Sequence, residues 1–543
     1  MAVSLIALAC VGTVIVRTDI LSVGSPTPDD YNANIPRDDR NNADAAYQMR
    51  VHSFCGVTDF KDLCVSDISN STSSHPSRDL QLQETSKSMV IASIQAAIDG
   101  IHKTLNHSRS GRFDSLLKQG IDDCDELLGL SVFELEDARW NVNAADVDDL
   151  LPVMTADLRD ALGAAITFEQ TCAESINTAA AASEADAAST AEFLCLLGNA
   201  SISTRNTLAV ISSFTEPMDG FYTLPMHSVE DAEQTKLLPK GKLFMEDKRM
   251  AGSNGAGGDA GNWLPPEINK APDVLVAKDG SGDFRTISDA LKRAVAGGDI
   301  RGGRFVIYVK KGVYNETVHV TAEMTRVTIY GDGPENTILT GTRSVAGGST
   351  LYSSATFAVT GNAFMALGIR FENRGGAATA AAVALRVESD SRQFYLDCVV
   401  SGSADLIYGD ASAALQNSLL RVKHAPKGLA AVLMASTRVD WHQSTAISLH
   451  NCTILGKGPA LWERWWRQWG GRPWRQEPSV GGTEVYFGEF ENRGEGACVK
   501  GRMRWSGYHE MSAWDARKFA AGEFIQGMWW LNATGVPFDA ALF

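Results

Sequence analysis

The second half of the chain carries short β-rich runs that recur about every 20–25 residues from Ala271 onward. Gly and Asn stand between these runs, which are DVLVA, RFVIYV, RVTIYG, TFAVTG, MALGIRF, AVALRV, QFYLDCVV and AISLHNCTI. Short strands at such regular spacing are typical of a sandwich, a barrel or a stacked parallel solenoid. Isolated polar residues such as Asn451 favour the solenoid, where Asn side chains can form a ladder along the stack. Periodicity alone does not decide among the three.

Residues 86–214 show a different period, with apolar residues at steps of three and four. This spacing predicts amphipathic helices. Four of them, joined by short polar connections, predict an antiparallel four-helix bundle. Cys195 lies in an apolar stretch of the last helix, FLCLLGNA, and is expected to be a core residue rather than a disulfide partner.

The two halves also differ in charge. Residues 1–270 hold 20 basic and 39 acidic residues, whereas residues 271–543 hold 29 and 26. This contrast favours separate domains. The overall net charge of −16 argues against a nucleic-acid-binding protein. Nine cysteines include no CxxC pair to suggest zinc, and the sequence shows no metal-ligand cluster or nucleotide-binding loop, so no cofactor is expected.

The first 16 residues are almost entirely apolar and are followed by Arg17. They are short for a membrane span, which needs about 20 residues. They suit a signal-peptide core, although no basic residue precedes them. We expect a signal peptide within residues 1–20, with a signal-anchor or a buried strand as alternatives. Six N-x-[ST] sequons agree with secretion and are candidate glycosylation sites, namely Asn70, Asn106, Asn199, Asn315, Asn451 and Asn532.

The cysteines of the first half suggest two disulfides. Cys55 and Cys64 lie nine residues apart ahead of the bundle, and a short hairpin could join them. Cys124 and Cys172 lie on different predicted helices. In an oxidising compartment these two pairs would fix the hairpin and cross-link two helices. Unpaired buried thiols are the alternative.

Three segments in the first half, CGVTDFKDLC, DDCDELLGLSVFELEDA and FEQTCAESI, stand in an order that resembles the pectin methylesterase inhibitor domain. The resemblance covers residues 50–215 and implies a four-helix bundle preceded by a helical hairpin. Its partner would be an esterase domain, either its own or another. Residues 216–270 read as a linker with a Gly-rich stretch. The segment LLPKGKLF is a possible processing site there, but Gly241 interrupts its basic pair; an uncut basic patch is the alternative.

The second half carries a longer series of motifs, including VAKDGSGDFRTISDAL, YVKKGVYNETV, GDGPENTILTG, SRQFYLDCVVSGSADLIYGDA, GRPW and WWLNATGVPFDAAL. In this order they resemble the pectin methylesterases. The resemblance implies a monomeric, right-handed parallel β-helix over residues 271–543. It also implies an extracellular, cell-wall enzyme that hydrolyses methyl esters of homogalacturonan and releases methanol.

Such hydrolysis needs an ionised carboxylate nucleophile, an acid that protonates the leaving methoxide, and donors for the oxyanion. By resemblance, Asp405 in GSADLIYG is the nucleophile and Arg472 in GRPW orients it. Trp474 matches an aromatic residue that lines the sugar subsites, and Tyr408 stands where the family usually has Phe. A solvated turn aspartate and a structural ion pair are the alternatives for Asp405 and Arg472.

Other parts of the family's site are missing from the sequence. Ala381 occupies the position of a Gln that donates to the oxyanion. ALRVESD passes directly to SRQFY, so a strand with Gln-Asp-Thr-Leu-Tyr, which supplies the general acid and a second Gln, is absent. About one β-helix turn of roughly 20 residues is missing there. A second shortening follows GRPW. Nothing marks the nearby Asp390 or Asp397 as a replacement acid.

We therefore expect a weak or inactive member of the pectinesterase family. One explanation is an enzyme whose sequence is shortened by a gene-model or splicing event. The other is a non-catalytic protein that binds pectin or inhibits esterases.

Overall fold

The computed structural model describes residues 39–72, 86–110, 115–144, 152–181, 187–213, 272–296, 303–375, 381–403, 405–423, 433–440, 442–456, 486–493 and 508–542. The chain divides into two compact units, Met1–Pro217 and Met218–Phe543. The described part of the first unit is helical, and the described strands all lie in the second.

The first unit contains a helical hairpin and a four-helix bundle. Its helices are α1 Asp39–Cys55, α2 Lys61–Thr72, α3 Ser86–Ser110, α4 Ser115–Ala144, α5 Pro152–Ala181 and α6 Ala187–Ser213. From α3 to α6 each helix packs on the next, and α3 also packs on α6, which closes the bundle. The apolar stripes face inward, with Ile94, Leu128 and Ile166 fully buried. The predicted bundle is confirmed.

Two disulfides brace this unit as predicted. Cys55–Cys64 joins α1 to α2 with a Cα–Cα distance of 5.7 Å. Cys124–Cys172 joins α4 to α5 with a Cα–Cα distance of 4.7 Å. Cys195 is half-buried and is also disulfide-bonded, so the expectation of an unpaired core residue is wrong. Cys195 follows the buried Phe193 and Leu194 but is not itself enclosed in the core.

The second unit begins with β1 and the helix α7 Ile287–Ala296 and continues as a stack of short strands. The strands are β1 Val274–Val276, β2 Phe305–Val309, β3 Gly312–Asn315, β4 Val318–Val320, β5 Val327–Gly331, β6 Thr337–Gly341, β7 Phe357–Val359, β8 Phe364–Leu367, β9 Arg370–Asn373, β10 Leu385–Leu396, β11 Val399–Gly402, β12 Ile407–Gln416, β13 Leu419–Val422, β14 Met434–Ala435, β15 Ala446–His450, β16 Thr453–Gly456, β17 Phe487–Glu489 and β18 Tyr508–Glu510.

Strands β1 to β16 form three faces, β17 and β18 pair with each other in a separate two-stranded sheet, and every ladder is parallel. The first face contains β4, β7, β14 and the first halves of β10 and β12. The second face contains β1, β2, β5, β8, β15 and the second halves of β10 and β12. The third face contains β3, β6, β9, β11, β13 and β16. The chain contributes strands to the faces one after another, and each complete turn stacks on the preceding turn. This architecture is a parallel β-helix, as predicted.

The corner between the second and third faces contains the expected asparagine ladder. Asp397, Asn417 and Asn451 have φ values of 51°, 50° and 53°, the left-handed region that Asn and Asp tolerate better than other side chains. Asn451 Nδ2 donates to Asn417 Oδ1 over 2.6 Å. The ladder therefore ties successive turns together where the chain bends.

A C-terminal segment covers the outer side of the second face. It contains the short helices α8 Ala513–Ala516, α9 Ala521–Phe524 and α10 Gly527–Trp530. Phe524, Ile525 and Leu531 pack against Tyr330 and Phe394 of the sheet. Across the described ranges, no helix is both long and apolar enough to cross a membrane.

Candidate functional site

Strand β10 bridges the point where the family pattern lacks a turn. Its first half pairs with β7 and β12, and its second half pairs with β8 and β12. The register shifts once, between Glu388 and Arg392. The stack therefore continues through the join, as expected for a solenoid in which each turn contacts only its neighbours.

Close backbone packing accompanies this join. Gly409 of β12 has a φ of 114°, and a Cβ atom there would overlap the carbonyl oxygen of Val387 on β10. A glycine is thus required for β12 to lie directly against β10.

Asp405 lies two residues before β12, at the start of the first face. Its backbone is left-handed, with φ of 50°, and its side chain is half-buried. Burial raises the pKa of Asp405 to about 6. Within the described parts of the chain, no donor hydrogen-bonds to its carboxylate. Arg472, the residue expected to orient it, and Trp474 lie outside the described residues.

The strand beside Asp405 carries no acid at the matching position. The ladder between the two strands begins with Leu385 opposite Ile407, and extending that register back by two residues puts Val383 opposite Asp405. The amides of Ala384 and Leu385 both donate to Leu406 O, over 3.2 and 3.0 Å, so the two strands are in contact just beyond Asp405. Val383 is fully buried and cannot transfer a proton.

The other carboxylates on these two strands are too distant. Glu388 and Asp410 pair with each other five residues further along, roughly 16 Å from the Val383–Asp405 position. Asp397 lies at the corner between the second and third faces, beyond the far end of β10. For Asp390, the side chain lies outside the described residues.

Two other predicted site residues, Ala381 before β10 and Tyr408 on β12, lie within the described residues. Ala381 is half-buried, and its carbonyl oxygen accepts from Val345 N over 3.0 Å. Tyr408 is 1% exposed and packs with Ala355, Ala358 and Val383. A contact between Tyr408 and sugar stays a prediction, and its burial does not favour one.

The outer side of the first face holds a buried polar group that the sequence reasoning missed. Arg386 Nε lies 3.2 Å from Glu388 Oε2, with the two side chains 5% and 0% exposed. Arg386 Nη1 donates to Tyr352 O over 2.8 Å, and its guanidinium lies 3.4 Å above the Tyr352 ring. The alternation of apolar and charged residues in LRVE, once placed on a strand, is the signal that could have predicted the pair.

Asp410 belongs to the same outer side. Its Oδ2 accepts from Gln443 Nε2 over 3.1 Å and from Thr445 Oγ1 over 2.6 Å. These bonds connect β12 to the segment that leads into β15.

The glycosylation candidates differ in accessibility. Asn70, Asn106, Asn315, Asn451 and Asn532 are exposed. Asn199 on α6 is half-buried.

Comparison with known proteins agrees with this architecture of a helical bundle and a carboxylate-bearing β-helix. The pectinesterase family model matches residues 273–391, 390–480 and 477–528. The plant invertase/pectin methylesterase inhibitor model matches residues 50–210. The chain belongs to the pectinesterase family of carboxylic ester hydrolases and carries an inhibitor domain at its N-terminal side. The breaks between the three pectinesterase segments fall at the two places where the sequence is shortened.

Relatives match along most of the chain. Pectinesterase 3 of Citrus sinensis is 27% identical over 94% of this chain and 91% of its own length. The Arabidopsis thaliana protein named "Probable pectinesterase/pectinesterase inhibitor 21" is 28% identical over 91% of this chain and 76% of its own length. The solved structure of pectin methylesterase from carrot is 30% identical, covers 50% of this chain and 98% of its own, and has a TM-score of 0.42.

Proposed function

We propose that this chain acts outside the cell as a protein of the plant cell wall. It binds methyl-esterified homogalacturonan near Asp405 and hydrolyses the methyl esters slowly or not at all. The proposal is supported by the register of β10 and β12, which, extended back by two residues from the Leu385–Ile407 pair, puts Val383 opposite Asp405. The family and its relatives support pectin as the ligand.

The slow rate follows from the chemistry of the ester. The Asp405 carboxylate would attack the carbonyl carbon, and methoxide would then leave as methanol if an acid protonated it. Water would hydrolyse the resulting acyl-enzyme if a base accepted its proton. Losing the group that does both should cost about 10²–10⁴ in rate. Losing the side-chain donor at Ala381 should cost about another 10²–10³.

Any residual hydrolysis should increase with pH. The nucleophile must be ionised, and burial raises the pKa of Asp405 to about 6. The rate therefore rises as pH passes through about 6, in contrast to a reaction limited by a protonated acid.

The test measures binding and hydrolysis on the same full-length protein. Association with highly methyl-esterified pectin is measured by sedimentation or calorimetry, and methanol release is measured in parallel. We expect clear binding with little methanol, and an Asp405→Asn variant should bind equally while losing the residual release. Absence of binding would overturn the ligand, and rapid methanol release would overturn the loss of catalysis.

A gain-of-function variant provides a stricter control. Val383→Asp puts a carboxyl group opposite Asp405 and should raise methanol release by at least about ten-fold. Circular dichroism first establishes that the variant is folded, because Val383 is fully buried. The matched substitution Val387→Asp lies four residues further along β10, roughly 13 Å away, and should give no gain.

A second candidate function is esterase inhibition by the helical unit. The four helices of the bundle pack together and keep both predicted disulfides, whereas the sequence of the esterase unit lacks the Gln-Asp-Thr-Leu-Tyr strand that supplies the family's acid. Adding the full-length chain to an active pectinesterase tests this directly. A stoichiometric fall in methanol release would support inhibition, and an unchanged rate would contradict it.

A further inference from the structure

A pocket of about 270 Å³ opens at the corner between the first and second faces of the β-helix. It is lined by Gly303, Thr325, Arg326, Asn362 and Ala363. These residues precede β2, β5 and β8, so three successive turns bring them together. Asp405 lies about six residues along its strand from this corner, a separation of roughly 20 Å. The pocket is therefore distinct from the candidate catalytic site.

Arg326 is held at the pocket in an unfavourable backbone conformation. Its φ is 57°, and the next turn repeats this conformation at Ala363 with φ of 56°. Arg326 N donates to Asn362 O over 2.8 Å, and its own carbonyl accepts from Phe305 N over 3.1 Å. Glycine or asparagine would fit this corner with less strain. The chain nevertheless presents an exposed guanidinium there.

Arg304 supplies a second cation beside the pocket wall. Its Nε donates to Thr328 Oγ1 over 2.8 Å, and its Nη2 donates to Val327 O over 3.1 Å and to the carbonyl oxygen of Ala363. Its guanidinium lies 5.3 Å from the Trp530 ring. These hydrogen-bond acceptors are all neutral.

Neither guanidinium has a counter-ion among the residues that the structure describes. Burial and the positive charge of Arg326 lower the pKa of Arg304 to about 9. The two positive charges therefore repel each other, and the Arg304 guanidinium is also partly removed from water. An anion in the pocket would offset both the repulsion between the two cations and the desolvation of Arg304.

We propose that this pocket binds a carboxylate group of a demethylated uronate polymer, as a second binding site apart from Asp405. Arg326 and Arg304 supply positive charge, and a guanidinium fork matches a carboxylate in geometry. The Asn362 amide and the Thr325 hydroxyl can donate further hydrogen bonds. The choice of polymer rests on the proposed function, because demethylation of pectin creates such carboxylates.

The site is tested by the binding of a fully demethylated oligogalacturonide to the full-length protein by calorimetry. Arg326→Gln removes the charge and should weaken binding about ten-fold or more, since a charge-assisted hydrogen bond is lost. Arg326→Asn, which suits the left-handed backbone, should weaken it similarly and shows that misfolding is not the cause. Arg293→Gln on the exposed side of α7 is the matched control and should leave affinity unchanged.

Three results would overturn the site. The first is unchanged affinity in Arg326→Gln, and the second is an equal loss in Arg293→Gln, which would mean that only net charge matters. The third is displacement of the oligomer by inorganic phosphate at equal concentration, which would indicate a general anion site. A fully methyl-esterified oligomer should not compete, because it has no free carboxylate.

The Asp405→Asn variant separates this proposal from the proposed function. It should keep full affinity for the demethylated oligomer, because the pocket lies roughly 20 Å away. Loss of oligomer binding in that variant would assign the carboxylate to the Asp405 site and overturn the second site. Methanol release judges the proposed function independently of either result.

Discussion

Replacing Arg386 with methionine should destabilise the β-helix strongly. The substitution keeps much of the apolar stem of the side chain but removes the charge that pairs with Glu388, which is 0% exposed. It also removes the hydrogen bond to Tyr352 O and the contact with the Tyr352 ring. Breaking one partner of a buried ion pair costs about 3–5 kcal/mol, because the remaining charge stays buried.

The size of that loss can be separated from the loss of packing by a double-mutant cycle. Adding Glu388→Gln to Arg386→Met removes the stranded charge and should restore at least about 2 kcal/mol. Urea unfolding followed by tryptophan fluorescence is a suitable assay, because eleven of the twelve tryptophans follow Met218. If the double variant lost the sum of the two single losses, the pair would not be coupled and the reasoning would be refuted.

The same substitution has a spectroscopic signature. Burial and the positive charge of Arg386 together lower the pKa of His319 to about 3. Arg386→Met should therefore raise the pKa of His319, which NMR titration of the imidazole would detect. An unchanged pKa would contradict the short-range charge effect.

Two further predictions concern stability in each unit. Glu169 in the bundle is fully buried, accepts from Ser131 and Thr204, and has its pKa raised by burial from 4.5 to about 7. The stability it contributes is fully present below pH 4.5 and is lost as pH rises through about 7, which amounts to about 3 kcal/mol. Glu169→Gln should remove this share of the pH dependence in thermal unfolding and leave the share of Glu134, whose pKa burial also raises to about 7; an unchanged pH dependence in the variant would contradict the assignment. In the β-helix, Asn417→Ala should cost about 1–2 kcal/mol and Asn417→Gly less, because only alanine is strained at φ of 50°; equal losses would show that only the bond to Asn451 matters.

Much of the fold was predictable because it depends on local patterns. Helical stripes predicted the bundle. The spacing of the short runs left a sandwich, a barrel and a solenoid open, and the resemblance to pectin methylesterases indicated the β-helix, in which Asn417 and Asn451 do form a ladder. The cysteine pairs followed from their places on predicted elements. The prediction that Cys195 is an unpaired core residue was wrong because an apolar sequence context does not show which way a side chain on the helix faces.

The candidate site was predictable only as a set of residues that match or fail to match a family pattern. The sequence indicated that an acid was missing, but not which residue would face Asp405. That depends on how β10 pairs with β12, a contact between residues about 20 apart in sequence. The pocket at Arg326 was not predictable for the same reason, since the stacking of three turns creates it.

The rate of methanol release from highly methyl-esterified pectin tests the central claim most directly. The full-length chain and a complete pectinesterase should be assayed side by side at a pH above the pKa of Asp405, which is about 6. We predict that this chain binds the polymer but releases methanol at least about 10² times more slowly, because no acid faces Asp405 among the described residues. A rate within about ten-fold of the complete enzyme would contradict the account.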